Sequence, residues 1–242
     1  MATKQRVDSL MVDRGLVESQ VKAQALIMAG KVVVEGKEAV KPGTLVTEAA
    51  EITIVEPPSF VSRGGIKLDY ALDWFQLDVS AMVVADIGAS TGGFTDCLLK
   101  RGARRVYAID VGYGQIDYRL RQDSRVVVMD KVNARYPVSL PENADLATMD
   151  LSFISVEKVI PSVARLLDDN GYLLVLIKPQ FEARREEVGK GGVIRHPVVH
   201  ARVLGRFIAW MVEYGFRLGG LVASPILGVS GNREFIALLK LT

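Results

Sequence analysis

The chain has 242 residues, of which 49% are hydrophobic and 24% are charged. This balance is typical of a globular protein and excludes an intrinsically disordered one. Lys and Arg number 30 against 28 Asp and Glu, so no overall charge excess indicates a nucleic-acid binder. One cysteine excludes an internal disulfide framework, and with only two histidines beside it we expect no metal site.

The start of the chain has no apolar stretch of the kind found in a secretory signal. The longest dense apolar run covers residues 173–177, preceded by Tyr172. A membrane-spanning helix needs roughly 18 apolar residues. We therefore predict a cytoplasmic protein that does not enter a membrane.

Residues 1–56 are predicted to form a small α+β domain. Apolar residues recur at helical spacing before Gly15, and again over 21–28 before Gly30. Residues 32–34 and 52–55 are typical strands of a small antiparallel sheet. Two prolines then follow, which cannot donate to a sheet, so residues 57–65 are predicted to be a linker.

Residues 66–242 alternate between apolar strands and helical stretches, which predicts an α/β fold. Near-continuous apolar strands of this kind indicate a doubly wound, mostly parallel Rossmann-like sheet with helices on both faces. The last two strands, 216–223 and 234–241, are joined directly and favour an antiparallel hairpin at the sheet edge. The preceding strands are predicted at 83–87, 105–109, 126–129, 144–149 and 172–177.

A glycine-rich turn follows the first strand of this second domain. Ligands of doubly wound sheets bind at such turns, although Ala89 and Ser90 break the dinucleotide fingerprint G-x-G-x-x-G. Asp110 ends the next strand, 22 residues after Gly88, where it can accept hydrogen bonds from ribose hydroxyls. The combination predicts a pocket for S-adenosylmethionine. The residues assigned to it are Asp86, Gly88, Ala89, Ser90, Gly92, Gly93, Phe94 and Asp110.

Three further ionisable residues directly follow predicted strands. Asp130 is placed to meet an adenine amine, Asp150 lies in Met-Asp-Leu-Ser-Phe, and Lys178 lies in Ile-Lys-Pro-Gln-Phe. Because the carboxyl ends of parallel strands meet at one edge, three such residues favour a functional site over isolated surface charges. Lys67 and Glu234 carry no such signal, and spacing alone favours a solvated charge at both positions.

Several segments together resemble the hemolysin-A-type (TlyA) family of ribosomal RNA 2′-O-methyltransferases. Members of this family join an S4-like RNA-binding domain to an FtsJ-like methyltransferase domain, and the resemblance covers essentially the whole chain. The segments that carry it are residues 6–8 through 30–32, 61–68, 86–96, 149–155, 177–182 and 188–193.

The resemblance implies a Lys-Asp-Lys-Glu tetrad, which falls by motif on Lys67, Asp150, Lys178 and Glu234. It implies transfer of a methyl group from S-adenosylmethionine to a ribose 2′-hydroxyl of ribosomal RNA. Lys178 would be the base or the hydroxyl activator, held by Asp150 and Glu234. Lys67 would position the substrate, and Asp150 would also border the cofactor.

The RNA-binding residues are less sharply defined. Residues 1–60 hold seven Lys and Arg against eight Asp and Glu, so any phosphate-binding patch must be local. The candidates are Lys4, Arg6, Lys22, Lys31, Arg63 and Lys190. The chain departs from the family pattern at Gln20, where S4 domains usually carry arginine, and at Arg184, where glycine is usual.

Three alternative functions stay open at this stage. One is a non-catalytic RNA-binding or ribosome-assembly factor, and another is a cytolysin, as the family name suggests. A third is a methyltransferase that modifies a base or a different RNA. The expected partner is ribosomal RNA within ribosomal subunits, and we expect a monomer.

Overall fold

A computed structural model describes residues 3–39, 41–55 and 59–241 and divides the chain into two compact units, Met1–Pro58 and Ser59–Thr242. No helix in these described ranges is both long and apolar enough to cross a membrane.

The first unit contains two short helices and two small antiparallel sheets. The elements are β1 (Lys4–Arg6), α1 (Val7–Asp13), α2 (Gln20–Met28), β2 (Val32–Val34), β3 (Lys37–Glu38), β4 (Leu45–Thr47) and β5 (Ile52–Ile54). β1 pairs with β4, and β2 lies between β3 and β5. The side chain of Ser19 caps α2 by accepting a hydrogen bond from the Lys22 amide at 3.3 Å.

A small apolar core holds this unit together. Val7 and Met11 of α1 pack with Ala23 and Ile27 of α2 and with Val32 of β2, and all five are buried. The predicted helices and the strands at 32–34 and 52–55 are therefore present, with the last strand ending at Ile54. The sequence pattern did not predict β1, β3 and β4. β1 and β3 contain only polar residues and β4 lies in no longer apolar run, whereas β2 and β5 consist largely of Val and Ile.

The second unit is a seven-stranded sheet with helices on both faces. Its strands are β6 (Val83–Ile87), β7 (Arg105–Ile109), β8 (Val126–Met129), β9 (Ala144–Met149), β10 (Leu167–Ile177), β11 (Phe216–Ala223) and β12 (Phe235–Leu241). The strand order is β11-β12-β10-β9-β6-β7-β8, in which the five strands from β10 to β8 are parallel. Its helices are α3 (Arg63–Phe75), α4 (Gly93–Lys100), α5 (Tyr118–Arg121), α6 (Ile160–Val163), α7 (Pro179–Glu182) and α8 (Pro197–Glu213).

This architecture confirms the predicted fold class. Side chains alternate along β6, so that Ala85 joins one buried core with Phe207 of α8, while Val84 joins the other with Leu68 of α3 and Leu98 of α4. The predicted hairpin is also present. β12 runs antiparallel between β10 and the edge strand β11, so its first residues lie at the carboxyl edge of the parallel strands.

The end of the predicted linker was wrong. Helix α3 begins at Arg63, so residues 63–65 are helical. Gly65 allows close packing at the start of this helix, because a Cβ there would strike the ring of Phe60. The two prolines of the predicted linker lie outside the described residues.

Candidate active site

Two adjoining cavities open at the carboxyl edge of the parallel strands. The first has a volume of about 680 Å³ and the second about 460 Å³. Gly88, Ser90, Asp150, Ser152 and Phe153 line both, and they directly follow β6 and β9. This edge is where doubly wound sheets place their ligands.

Lys178 and Asp150 form an ion pair in the first cavity. Lys178 follows β10 and Asp150 follows the neighbouring β9, so adjacent parallel strands bring the two side chains together. The Lys178 Nζ lies 2.6 Å from Asp150 Oδ1 and donates a hydrogen bond to Ser152 Oγ at 2.9 Å. The two side chains are 12% and 23% exposed, so the pair is reachable from the cavity but largely shielded from water.

Lys67 and Glu234 form a second ion pair in the same cavity. Lys67 lies in α3, and Glu234 immediately precedes β12. The Lys67 Nζ donates to Glu234 Oε2 at 2.5 Å, and the side chains are 9% and 3% exposed. Gly228 leaves room for the carboxylate, because a Cβ there would strike Glu234 Oε1. The structure thus brings all four residues of the implied tetrad into the lining of one cavity.

The glycine turn shapes the wall between the two cavities. Gly88 has φ +82°, and a Cβ at this position would lie 2.5 Å from the carbonyl oxygen of Asp150. Only glycine therefore lets the backbone approach so closely. Beside it, the Asp110 carboxylate accepts hydrogen bonds from the amides of Ser90 at 2.8 Å and Gly112 at 2.6 Å.

The second cavity fits a nucleoside-bearing ligand. Asp110 lines it, and a carboxylate with about four lone-pair sites can accept further hydrogen bonds beside the two it has. Ile87, Ile109 and Val132 supply apolar walls on which a flat heterocycle can pack. A ribose hydroxyl pair and a base therefore find suitable partners among the residues present.

Asp86 lies beneath the glycine turn and lines neither cavity. Its carboxylate is fully buried and accepts hydrogen bonds from the hydroxyls of Thr95 at 2.7 Å and Thr148 at 2.9 Å. Burial raises the pKa of Asp86 to about 6. The carboxylate links β6 to α4 and β9 and so supports the turn from below. The sequence had instead predicted that Asp86 contacts the cofactor directly.

The other residues assigned to the cofactor divide into two groups. Ala89, Gly93 and Phe94 line the first cavity. Gly92 and Asp130 line neither. Gly92 has φ +93°, and Ile116 and Leu120 pack against it so closely that a Cβ would collide with Leu120. Asp130 turns away to form an ion pair with Arg121 at 3.2 Å, while Val132 and Asn133 take the place by the second cavity.

Two of the candidate RNA-binding residues lie in the second unit. Arg63 lines the first cavity, and its Nη2 donates to the carbonyl of Leu227 at 2.5 Å, which ties α3 to the loop before β12. Lys190 is exposed in a short 3₁₀ turn, Lys190–Gly192. Asn232 anchors this segment, because its side chain donates to the Gly192 carbonyl at 2.8 Å.

The remaining candidates lie in the first unit. Lys4 and Lys22 are exposed and Lys31 is half-buried. Arg6 forms an ion pair with the buried Asp8 at 2.7 Å, which holds the pKa of that carboxyl well below its usual range. Arg6 therefore has a structural contact beside any role in RNA binding. Gln20, the departure from the S4 pattern, also donates to Asp8, at 3.3 Å.

Sequence reasoning missed several residues that line the first cavity. Phe153 is 90% exposed with φ +64°, and its ring centroid lies 5.1 Å from that of Phe181. The Oε1 of Gln180 is buried without a hydrogen-bond partner among the described residues. Both aromatics and Gln180 belong to the quoted motifs, yet neither exposure nor an unmet hydrogen bond is visible in a sequence.

Glu182 was missed as well. It is buried and accepts hydrogen bonds from the Ser155 hydroxyl at 2.6 Å and the Val156 amide at 2.9 Å. Burial raises the pKa of its carboxyl. The contact joins the segment that carries Asp150 to the segment that carries Lys178, and so supports their ion pair.

The site combines a substrate-sized cavity holding two ammonium–carboxylate pairs with an adjoining cavity suited to a nucleoside. Such an arrangement can orient a hydroxyl, take up its proton and stabilise the charge that develops on its oxygen. The chemistry therefore belongs to the four residues together.

Comparison with known proteins gives the same division of the chain. Residues 60–241 match the model of the FtsJ-like methyltransferases, and residues 5–52 match that of the S4 domain.

Full-length relatives are similar along nearly the whole chain. One is the 16S/23S rRNA (cytidine-2′-O)-methyltransferase TlyA of Mycobacterium tuberculosis, 43% identical, with 99% of this chain and 91% of the relative covered. Another is Hemolysin A of Brachyspira hyodysenteriae, 40% identical, with 96% and 98% covered. The solved structure of a chain provisionally named a hemolysin, from Streptococcus thermophilus, aligns with TM-score 0.76 at 44% identity. That alignment covers 100% of this chain and 90% of the other.

Proposed function

Since the chain belongs to the family of FtsJ-like methyltransferases that carry an N-terminal S4 domain, we propose that it methylates a ribose 2′-hydroxyl of ribosomal RNA. The observation that carries the proposal is the meeting of Lys67, Asp150, Lys178 and Glu234 in one cavity beside a nucleoside-sized one. The TlyA relative is named for cytidine, and we propose cytidine as the target here too.

The second cavity is the proposed site of S-adenosylmethionine. Asp110 would accept hydrogen bonds from its ribose, and Gly88 would let it lie against the backbone. When bound, S-adenosylmethionine supplies an electrophilic methyl group. Gly88, Ser90 and Asp150 line both cavities, so the donor and the acceptor hydroxyl would meet there.

The chain's own residues prepare the acceptor oxygen. Lys178 contacts the ribose 2′-hydroxyl, and as the methyl group bonds to that oxygen the hydroxyl proton passes to the Lys178–Asp150 pair. Asp150 fixes the Lys178 Nζ in place. The buried Lys67–Glu234 pair orients the ribose, and its ammonium stabilises negative charge that develops on the oxygen. Holding the hydroxyl in line with the donor is the larger part of the task, because the donor is already reactive.

The S4 unit would also bind the RNA. Structured RNA is recognised through its shape, 2′-hydroxyls and phosphates, so the exposed Lys4 and Lys22 are the proposed phosphate contacts in this unit. Ribosomal subunits in the cytoplasm are the proposed form of the substrate.

The test is transfer of radiolabelled methyl to purified small and large ribosomal subunits from a strain that lacks this protein. Lys178→Ala is measured beside the wild type. The proposal predicts label in RNA with the wild type only. Absence of label in both subunits, with S-adenosylmethionine binding intact, would contradict the proposal that ribosomal RNA is the substrate. It would favour a non-catalytic RNA-binding role.

A further inference from the structure

A third, open depression adjoins both cavities and carries no role so far. Its volume is about 870 Å³. It meets the first cavity at Phe153 and Phe181, and it meets the second at Arg135 and Ile154. Three of the residues that line it are cationic: Arg135, Lys158 and Arg185. They come from three separate places in the chain, after β8, before α6 and after α7, so the fold assembles the cluster.

None of the three cationic groups has an ion-pair or side-chain hydrogen-bond partner within the described parts of the chain. This distinguishes them from most arginines in the second unit, such as Arg101, which pairs with Asp69 and Asp73. Like charges around one concave surface repel each other and raise the local positive potential. A ligand that carries negative charge relieves this repulsion.

Three carboxylates that lie close in the chain to these cations contact other groups. Glu182 is occupied by Ser155 and Val156. Glu157 lies 3.8 Å from Arg206, and Glu187 forms an ion pair with Arg202. Among the residues that the structure describes, no acidic side chain lines the depression itself, so its positive charge is available to a ligand.

We propose that Arg135, Lys158 and Arg185 bind backbone phosphates of the RNA strand next to the target nucleotide. The inference rests on the proposed function, because it takes the first cavity as the place of that nucleotide. A nucleotide bound in the first cavity is part of an RNA strand. The adjoining part of that strand can pass over Phe153 and Phe181 into the depression. A polymer with a regular series of negative charges fits a cationic surface that is continuous with the reaction cavity.

The expected effect follows from counterion release. Each phosphate that a cation contacts contributes about −0.7 to the slope of log affinity against log salt for single-stranded nucleic acid. Three contacts therefore account for about −2 of the total slope. Contacts to phosphates position the substrate, so their loss is expected to raise KM for RNA. Because Arg135 also lines the second cavity, kcat is compared at saturating S-adenosylmethionine, where it is expected to be nearly unchanged.

The experiment compares two triple variants of the full chain at matched charge. The test variant carries Arg135→Gln, Lys158→Gln and Arg185→Gln. The control carries Arg165→Gln, Arg217→Gln and Lys240→Gln, which lie toward the opposite, amino-terminal edge of the parallel strands. Methyl transfer to the ribosomal subunit that the wild type labels is measured over a range of KCl concentrations, together with the binding of a short fluorescent single-stranded RNA.

The proposal predicts that the test variant raises KM at least about tenfold and reduces the salt slope of log(kcat/KM) by about 2, whereas the control changes both far less. A variant that exchanges charge for charge, Arg135→Lys, Lys158→Arg and Arg185→Lys, is expected to restore most of the salt slope. Equal effects of the test and control variants would overturn the inference, since only overall charge would then matter.

The two proposals fail in different ways. A wild type that labels no ribosomal RNA contradicts the proposed function, and the RNA-binding arm alone then decides whether the depression binds phosphates. If the wild type methylates RNA and the test variant has an unchanged KM and salt slope, the proposed phosphate binding in the depression is contradicted. The proposed function is then unaffected.

Discussion

The Nζ of Lys178 lies 2.6 Å from Oδ1 of Asp150, although the two residues are 28 positions apart and follow different strands. The parallel pairing of β9 and β10 fixes this distance, because it sets the carboxyl ends of both strands side by side. The pair lines the cavity in which the proposed chemistry takes place.

Lys178→Met is expected to reduce the rate of methyl transfer in a single turnover by at least about 100-fold, the scale of general acid–base catalysis. Binding of S-adenosylmethionine should be nearly unchanged, because Lys178 does not line the second cavity. Rapid-quench kinetics and titration calorimetry measure the two quantities. Lys240→Met, at the other end of the sheet, is the control. A loss of cofactor binding that matches the loss of rate would contradict the assignment.

Removing one member of the buried Lys67–Glu234 pair should destabilise the second unit by about 3–5 kcal/mol, since a charge stays buried without its partner. Glu234→Leu and Lys67→Met are the single variants. The double variant removes both charges and is expected to regain most of the free energy of unfolding, yet to stay inactive. Urea unfolding and methyl transfer measure this contrast. A double variant as unstable as either single one would contradict it.

Gly88→Ala is expected to abolish cofactor binding, because its Cβ would lie 2.5 Å from the Asp150 carbonyl oxygen. Gly114→Ala is a matched control, since Gly114 also has positive φ, at +66°, but has nothing within 4 Å of the added atom. Both variants incur the backbone strain of a left-handed alanine, of order 1 kcal/mol. Calorimetric titration with S-adenosylmethionine separates them. Equal affinities in the two variants would show that the close approach at Gly88 is unimportant.

Asp86 makes the stability of the second unit depend on pH. Its folded pKa of about 6 lies above the usual value of about 3.9, so the folded state binds the extra proton. Its stabilising contribution is therefore complete below about pH 4 and is lost as the pH rises through 6, by at most about 1.4 kcal/mol per pH unit. Asp86→Asn should remove this dependence, because a side-chain amide does not gain or lose a proton in this pH range. The amide can still form hydrogen bonds with both threonines.

Unfolding by urea between pH 4 and 7.5 tests this prediction. The difference in unfolding free energy between Asp86→Asn and the wild type should shift in favour of the variant as the pH rises. A constant difference would mean that Asp86 has the same pKa in the folded and unfolded states.

The sequence predicted the second unit well because its strands are buried on both sides. Apolar runs of this kind show no alternation that could be confused with a surface strand, and their bounds at 83–87, 105–109 and 144–149 match the structure. Asp150 and Lys178 were found for the same reason. They are charged residues that end apolar runs, and parallel pairing places such ends together.

Glu234 and Lys67 could not be found in this way. Glu234 reaches the site because β12 runs antiparallel, which places its beginning at the carboxyl edge of the parallel strands. Lys67 comes from a helix that precedes the first strand of the sheet. No spacing along the chain records either arrangement, and only the family resemblance identified these two residues.

Asp86 and Asp130 show the limit of reasoning from strand ends. Asp86 lies within β6, and its side chain points to Thr95 and Thr148 beneath the turn. Asp130 ends β8 as expected, but Arg121 draws its carboxylate away from the second cavity. The end of a strand fixes the backbone position of a residue, whereas contacts with other elements determine the direction of its side chain.

The most direct test of the account identifies the atom that receives the methyl group. Ribosomal RNA labelled by the wild type is digested to nucleosides, and the labelled product is separated by chromatography beside authentic standards. The account predicts that the label comigrates with 2′-O-methylcytidine and is absent with Lys178→Ala. Label in a base-methylated nucleoside would contradict the proposed role of the four-residue site.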